Sequence, residues 1–95
     1  MKGRVISEKI INDFSIHLRS EEKSANTIKK YLRDVRAFAA YLGSAEVSKE
    51  KTIAYKNKLL SEEYAPRSIN SMLASLNSLF SFLGWPDCKV KTIKL

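Results

Sequence analysis

The side chains in this sequence best suited to chemistry are four cations in the stretch "SANTIKKYLRDVRAFAA". At 100° per residue they fall in one arc of an α-helix, with Ala37 and Ala40 among them. Cations separated by small side chains form a low basic surface that a phosphate backbone could approach closely. A solvated helix face with no partner is the other interpretation of the same pattern. The four cations are Lys29, Lys30, Arg33 and Arg36.

A second stretch, "SINSMLASLNSLFSFLGW", contains no charged residue, although 28% of the whole chain is charged. Its serines fall on one side of a helix, flanked by Asn70 and Asn77. Serine weakens a helix, so serines on one face favour the close approach of another surface. Short hydroxyls and amides can hydrogen-bond phosphate oxygens or base edges, but packing against a protein partner or another helix is an equal alternative. The serines are Ser68, Ser71, Ser75, Ser78 and Ser81.

The two stretches also begin alike. Each places a hydroxyl directly before its first apolar residue, Thr27 before Ile28 and Ser68 before Ile69. A helix N-terminus offers unpaired N–H groups and a partial positive charge. Two such ends would suit two phosphates, although ordinary N-capping explains the hydroxyls as well.

The sequence contains no recognisable catalytic or metal-binding cluster. Its single histidine, His17, and its single cysteine, Cys88, stand far apart. No tyrosine has a group of Arg and His residues beside it, and nucleophilic catalysis needs a base or a charge clamp. We therefore expect this chain to be no enzyme on its own, with no metal and no cofactor.

Cysteine usage and the N-terminus favour the cytoplasm. One cysteine excludes an internal disulfide, which fits a reducing compartment. The opening "MKGRVISEKII" lacks the apolar core of a signal peptide. The neutral stretch is nearly long enough to span a bilayer, but seven of its eighteen residues are Ser or Asn. We therefore expect no membrane helix.

The elements that must position these residues are four predicted helices, with no strands. The third has the least regular apolar spacing, and its expected core residues are Ile53, Ala54, Leu59 and Leu60. The helices are predicted to follow Ser7, to run from about Ser24 to Leu42 before Gly43, to follow Ser48, and to run from Pro66 to Gly84.

Ninety-five residues make one domain, with a formal net charge of +7 and a pI near 9.7 that favour a polyanionic partner. Two helical hairpins packed across each other would bury all four apolar stripes. No internal repeat is apparent. The last residues, "CKVKTIKL", alternate basic and apolar side chains and are expected to start a linker.

The chain resembles the N-terminal core-binding domain of tyrosine recombinases, the phage-integrase and Xer-like family. The resemblance rests on "SANTIKKYLRDVRAFAAYLG" followed by "YAPRSINSMLASLNSLFSFLGW" and covers roughly residues 5 to 95. The matching positions are Ser24, Thr27, Tyr31, Asp34 and Phe38 in the first segment, and Ser68, Ile69, Asn70, Phe80, Leu83 and Gly84 in the second.

The resemblance implies an all-α, SAM-like four-helix bundle over residues 1–86, followed at 87–95 by the start of a linker to a catalytic domain. Its second and fourth helices would bind the duplex DNA of a recombination site as half of a clamp, with other recombinase protomers assembled alongside. The implied location is the cytoplasm, in association with the nucleoid. The implied source of the gene is a bacterium, a phage or a mobile element. The implied DNA-binding residues are Ser24, Asn26, Thr27, Lys29, Lys30, Arg33, Arg36, Arg67, Ser68, Asn70, Ser71, Ser75, Lys89 and Lys91.

Within this set we expect phosphate contacts from the cations and base reading from Asn70. We expect the isolated domain to be a monomer. Two other functions fit the same sequence. One is a SAM-like protein–protein interaction domain that docks through its serines without touching DNA. The other is a stand-alone helix-turn-helix regulator, although few charged recognition residues lie at the start of the fourth helix.

Overall fold

The computed structural model describes residues 3–95. Four α-helices account for most of them, and the described residues contain no strand. The helices are α1 (Glu8–Ser20), α2 (Ala25–Leu42), α3 (Lys49–Ser61) and α4 (Pro66–Leu83), followed by a short 3₁₀ turn at Pro86–Cys88. The predicted all-α class and the four helices are confirmed.

Serine side chains start three of the helices. The Oγ atoms of Ser7, Ser24 and Ser48 each accept a hydrogen bond from the backbone N–H three residues further on. Such caps satisfy an N–H group that the helix itself leaves unpaired. The fourth helix begins differently, because Ala65 precedes it and offers no side-chain cap.

The two helical hairpins repeat each other at an interval of 41 residues. α3 lies 41 positions after α1, and α4 lies 41 positions after α2. The turn residues Glu22 and Glu63 keep this interval, and both have a φ of 61°. The glycines that end the second helix of each hairpin, Gly43 and Gly84, also adopt positive φ. The expectation that the chain has no internal repeat is therefore wrong.

Burial repeats at this interval of 41 residues more closely than residue type does. Ile11, Phe14 and Leu18 on α1 are buried. Their counterparts on α3 are Thr52, Tyr55 and Leu59, which are buried too. The central side chains are Phe14, Val35, Phe38, Ile69, Leu73, Leu76, Leu79 and Phe80, all with 0% exposure.

The expected core of α3 is wrong at three of its four positions. Ile53 and Leu60 are 41% and 43% exposed, and Ala54 is also exposed. Only Leu59 lies in the core. The buried face of α3 carries a threonine and a tyrosine in place of aliphatic residues, so the apolar pattern pointed to the wrong side of this helix. Burial raises the pKa of the Tyr55 hydroxyl.

α4 packs against α2 and α3, and α2 also packs against α1. In the segment before α1, Arg4 contacts the residues that follow α4. Its Nη1 donates to Asp87 Oδ2 at 2.6 Å, and its guanidinium lies 5.4 Å from the ring centroid of Trp85. This hydrogen bond lowers the pKa of the Asp87 carboxyl below its ordinary value.

Residues 88–95, which we call the strap, fold back onto the bundle. Cys88 and Val90 are buried and Ile93 is half-buried. These residues were expected to start a linker, which stays a prediction, and in the structure their side chains at Cys88, Val90 and Ile93 pack against the helices. A further domain beyond them stays a prediction. Within residues 3–95, no helix combines the length and the hydropathy that crossing a membrane requires.

Candidate nucleic-acid interface

The start of α2 and the first half of α4 enclose a shallow cleft of about 360 Å³. It brings together four residues that the sequence placed in the DNA-binding set from two distant stretches: Asn26, Thr27, Lys30 and Ser71. The side chains that line the cleft are Asn26, Thr27, Lys30, Tyr31, Ser71 and Ala74. The small side chain of Ala74 leaves the surface of α4 low at this point.

A buried polar cluster lies beneath this cleft. The Asp34 side chain is 5% exposed and accepts a hydrogen bond of 2.7 Å from Ser75 Oγ. Lys30 Nζ lies 2.9 Å from Asp34 Oδ2 and donates to the backbone oxygen of Ser71 at 2.6 Å and to Ser75 Oγ at 3.0 Å. The ammonium group therefore uses its three donors on oxygens of the protein. This cluster joins α2 to α4.

The four cations of α2 thus divide into two pairs. Lys30 is committed to the buried cluster, and Arg36 Nη1 lies 2.8 Å from Glu8 Oε2 of α1. Arg33 is 73% exposed, and its Nε lies 3.7 Å from Asp34 Oδ1, which is too far for a hydrogen bond. Lys29 is exposed and has no ion pair among the described residues. Lys29 and Arg33 are thus the α2 cations without a hydrogen-bonded carboxylate partner among the described residues, although Arg36 is also 54% exposed.

The expected serine face of α4 differs from the structure at Ser75. Its side chain has 0% exposure and lies in the cluster with Asp34, so it is not on the surface as expected. Ser68 and Ser71 are exposed, as is Arg67 one residue before Ser68. The small hydrogen-bonding surface of α4 is therefore narrower than the serine spacing predicted.

Asn70 also differs from its expected position. Its side-chain amide exchanges two hydrogen bonds with the backbone of Ile93 in the strap. Both polar atoms of the amide are thereby used within the protein, and the group faces the strap. Each of these atoms keeps one further hydrogen-bonding position, and base reading by Asn70 stays a prediction.

The two helix N-termini are not equivalent. Ser24 Oγ accepts from the N–H of Thr27 and donates to Thr27 Oγ1 at 2.9 Å, so both hydroxyls take part in capping α2. At α4, Ala65 provides no such group, and Ser68 is exposed. The start of α4 is the more open of the two to an anion.

Two further cations lie close to Lys29 and were missed by the sequence analysis. Arg19 and Lys23 line a second cleft of about 390 Å³ between α1 and α2, together with Lys29. They belong to the end of α1 and the turn after it, where no helical spacing connects them with α2. The packing of α1 against α2 and the turn between them bring these cations to this surface.

The strap contributes the remaining predicted residues. Lys89 is half-buried and Lys91 is exposed. Lys91 lines a cleft beside α3 with Lys49 and Lys56, so it lies apart from the cleft between α2 and α4.

The described residues contain no group of three His, Cys, Asp or Glu side chains placed to hold a metal ion. His17 packs against Phe82 with ring centroids 4.6 Å apart, and its Nε2 is 3.5 Å from Glu21 Oε2. It takes part in packing α1 against the end of α4.

Comparisons with known proteins agree with this architecture. A family model described as the phage integrase N-terminal SAM-like domain matches residues 11–86. The tyrosine recombinase XerA of Thermococcus onnurineus is 31% identical over 78 residues, which cover 82% of this chain and 27% of XerA. The tyrosine recombinase XerD of Listeria innocua is 34% identical over 83 residues, which cover 78% of this chain and 28% of XerD. The chain thus spans little more than a quarter of the length of these relatives.

The family match includes the whole of α2, α3 and α4, and so both helices that line the cleft between α2 and α4. The chain therefore belongs to the family of phage integrase N-terminal SAM-like domains, which implies a role in site-specific recombination.

Proposed function

We propose that this chain binds duplex DNA through the adjoining surfaces of α2 and α4, as the N-terminal part of a site-specific tyrosine recombinase. The observation that carries the proposal is the cleft between these helices, which is lined by small polar side chains. The exposed cations Lys29 and Arg33 lie on the same helix, α2, outside the cleft itself. Cations hold the phosphate backbone, while small side chains allow it to come close.

The start of α4 provides a second contact in this proposal. Arg67 and Ser68 stand exposed beside N–H groups that no side chain caps. A helix N-terminus attracts anions because its N–H groups point outward at the positive end of the helix dipole. A phosphate at this end and others at Lys29 and Arg33 would hold the duplex against both α2 and α4.

In this proposal the 95-residue chain binds and positions DNA, and the cleavage chemistry belongs to another part of a longer recombinase. The partners are the recombination-site duplex and further recombinase protomers assembled on it. The location is that of the DNA, in the cytoplasm of a bacterial or archaeal cell.

The experiment compares two double variants in a duplex titration. Lys29→Ala with Arg33→Ala should weaken binding to any duplex about 10- to 100-fold at low salt, because each loses a phosphate contact that carries little sequence information. The matched control is Lys9→Ala with Lys58→Ala, which removes the same charge from residues paired with Asp13 and Glu62. Equal losses in both double variants would reduce the effect to net charge and contradict the proposed interface.

A second candidate function, docking to another protein, is favoured by the exposed apolar side chains of α3. Ile53 and Leu60 lie one above the other on its outward side, at a spacing of seven residues. A purely protein-docking domain would leave the DNA titration flat at low salt. Association with a second protein that is unchanged by Lys29→Ala with Arg33→Ala but lost in Ile53→Glu would favour this second function.

A further inference from the structure

The strap is held on α4 by two asparagine side chains that act in the same way. Asn77 Oδ1 accepts from the N–H of Val90 at 3.1 Å, and Asn77 Nδ2 donates to the oxygen of Val90 at 2.9 Å. Asn70 does the same for Ile93, at 2.6 Å and 2.9 Å. Each amide thus satisfies both backbone groups of one residue, as the edge of a β-strand would.

The two asparagines and the two strap residues that they bind match in spacing, and we call each asparagine with its strap residue a clamp. Asn70 and Asn77 lie seven residues apart on α4, a rise of about 10.5 Å. Val90 and Ile93 lie three residues apart, which is about 10 Å in an extended chain. An extended segment that meets one amide in register therefore meets the other as well.

Further contacts fix the same segment. Lys56 Nζ on α3 donates to the backbone oxygen of Lys91, between the two clamps, at 2.7 Å. The side chain of Val90 is 7% exposed and that of Ile93 packs against the core. The backbone of the strap is thus bound by side chains of two helices, while Val90 and Ile93 pack inward and Leu95 at its end is 79% exposed.

Comparison of the two hairpins shows that paired asparagines at these positions occur only in the second hairpin. Positions equivalent to Asn70 and Asn77, 41 residues earlier, are occupied by Lys29 and Arg36. The two halves share their burial pattern, yet only α4 has amides at these two positions. The asparagines are therefore not required by the hairpin itself.

The direction of the strap connects it with the candidate interface. The strap meets Asn77 first and Asn70 second, so it runs antiparallel to α4 and back towards the helix start. α4 has 18 residues and is about 27 Å long. The strap therefore returns the chain from the far end of α4 to the end that carries Arg67 and Ser68.

We propose that Asn70, Asn77 and Lys56 form a receptor for an extended peptide segment, that residues 88–95 occupy it, and that this docking makes the chain leave the bundle beside the DNA interface. The last part rests on the proposed DNA-binding function, whereas occupancy of the receptor does not. In a longer protein, the polypeptide after Leu95 would start next to bound DNA. Asn70 serves the strap and does not read bases.

Amide hydrogen exchange in the free 95-residue chain tests the receptor. The N–H groups of Val90 and Ile93 should be protected, and Asn77→Ala and Asn70→Ala should each speed their exchange about 10- to 30-fold, because each removes two hydrogen bonds. Asn57→Ala is the matched control, since Asn57 is exposed on α3 beside the strap and should leave both rates unchanged. Unprotected amides in the wild-type chain would overturn the proposal.

A nitroxide on Leu95→Cys, in a Cys88→Ala background, tests the direction of exit. It should broaden the amide signals of Ser68 and Ser71 and spare those near Leu83, and Asn70→Ala should remove this difference. Broadening near Leu83 instead would contradict the antiparallel course.

Addition of duplex DNA to the same chain separates the two proposals. The amides of Val90 and Ile93 should stay protected in the complex, because the strap remains docked. Faster exchange at Ile93 on DNA binding would mean that Asn70 changes partner, and would overturn its assignment to the strap. Absence of any DNA binding would contradict the proposed function and leave the exchange result in the free chain as a separate test of the receptor.

Discussion

Neighbouring residues of similar type have different roles in this structure, and the charge pattern of the sequence did not separate them. Lys29 and Lys30 are adjacent cations of α2. Lys29 is exposed, whereas Lys30 gives its donors to Asp34, Ser71 and Ser75. The sequence predicted their common helix and their basic arc. It could not predict the pairing, because the acceptors on α4 lie more than 40 positions away.

This division predicts opposite outcomes for two matched substitutions. Lys30→Met should lower the free energy of unfolding by about 1–3 kcal/mol, because the buried carboxylate of Asp34 loses its cation. Lys29→Met should change it by less than about 0.5 kcal/mol, as is usual for an exposed position. Urea denaturation followed by circular dichroism measures both values. Equal stability of the two variants would contradict the buried pairing.

At the scale of elements, helix ends were easier to predict than helix faces. The sequence predicted helices that begin at or directly after Ser7, Ser24 and Ser48, and these serines cap them, because capping depends on residues only three positions apart. The buried face of α3 was assigned wrongly, since Ile53 and Leu60 are the more apolar residues there. The interval of 41 residues would have given the correct face from Phe14 and Leu18 of α1.

The register of α3 can be tested with two adjacent leucines. Leu59 is 3% exposed and Leu60 is 43% exposed. Leu59→Ala should cost about 2–5 kcal/mol in unfolding free energy, because it leaves a cavity in the core. Leu60→Ala should cost less than about 1 kcal/mol, since its side chain already contacts water. Chemical denaturation of the two variants checks this order, and a larger loss for Leu60→Ala would show that the face is wrong.

At the scale of the whole molecule, two similar hairpins are joined so that the second helix of each faces the other. The polar cluster at their contact links positions 41 residues apart, Lys30 with Ser71 and Asp34 with Ser75. The same contact creates the cleft that we propose for DNA. The all-α class and the family were predictable from the sequence, whereas the cleft depends on how the halves meet.

The central claim is that the exposed cations of α2, together with the start of α4, hold a phosphate backbone, and the salt dependence of affinity tests it most directly. Titration of the chain against a labelled duplex at several salt concentrations should give a log–log slope of about −3 to −5, as for four or five phosphate contacts. Lys29→Ala with Arg33→Ala should make that slope less steep by about 2, because two phosphate contacts are lost. A slope near zero, or no binding at low salt, would contradict the account.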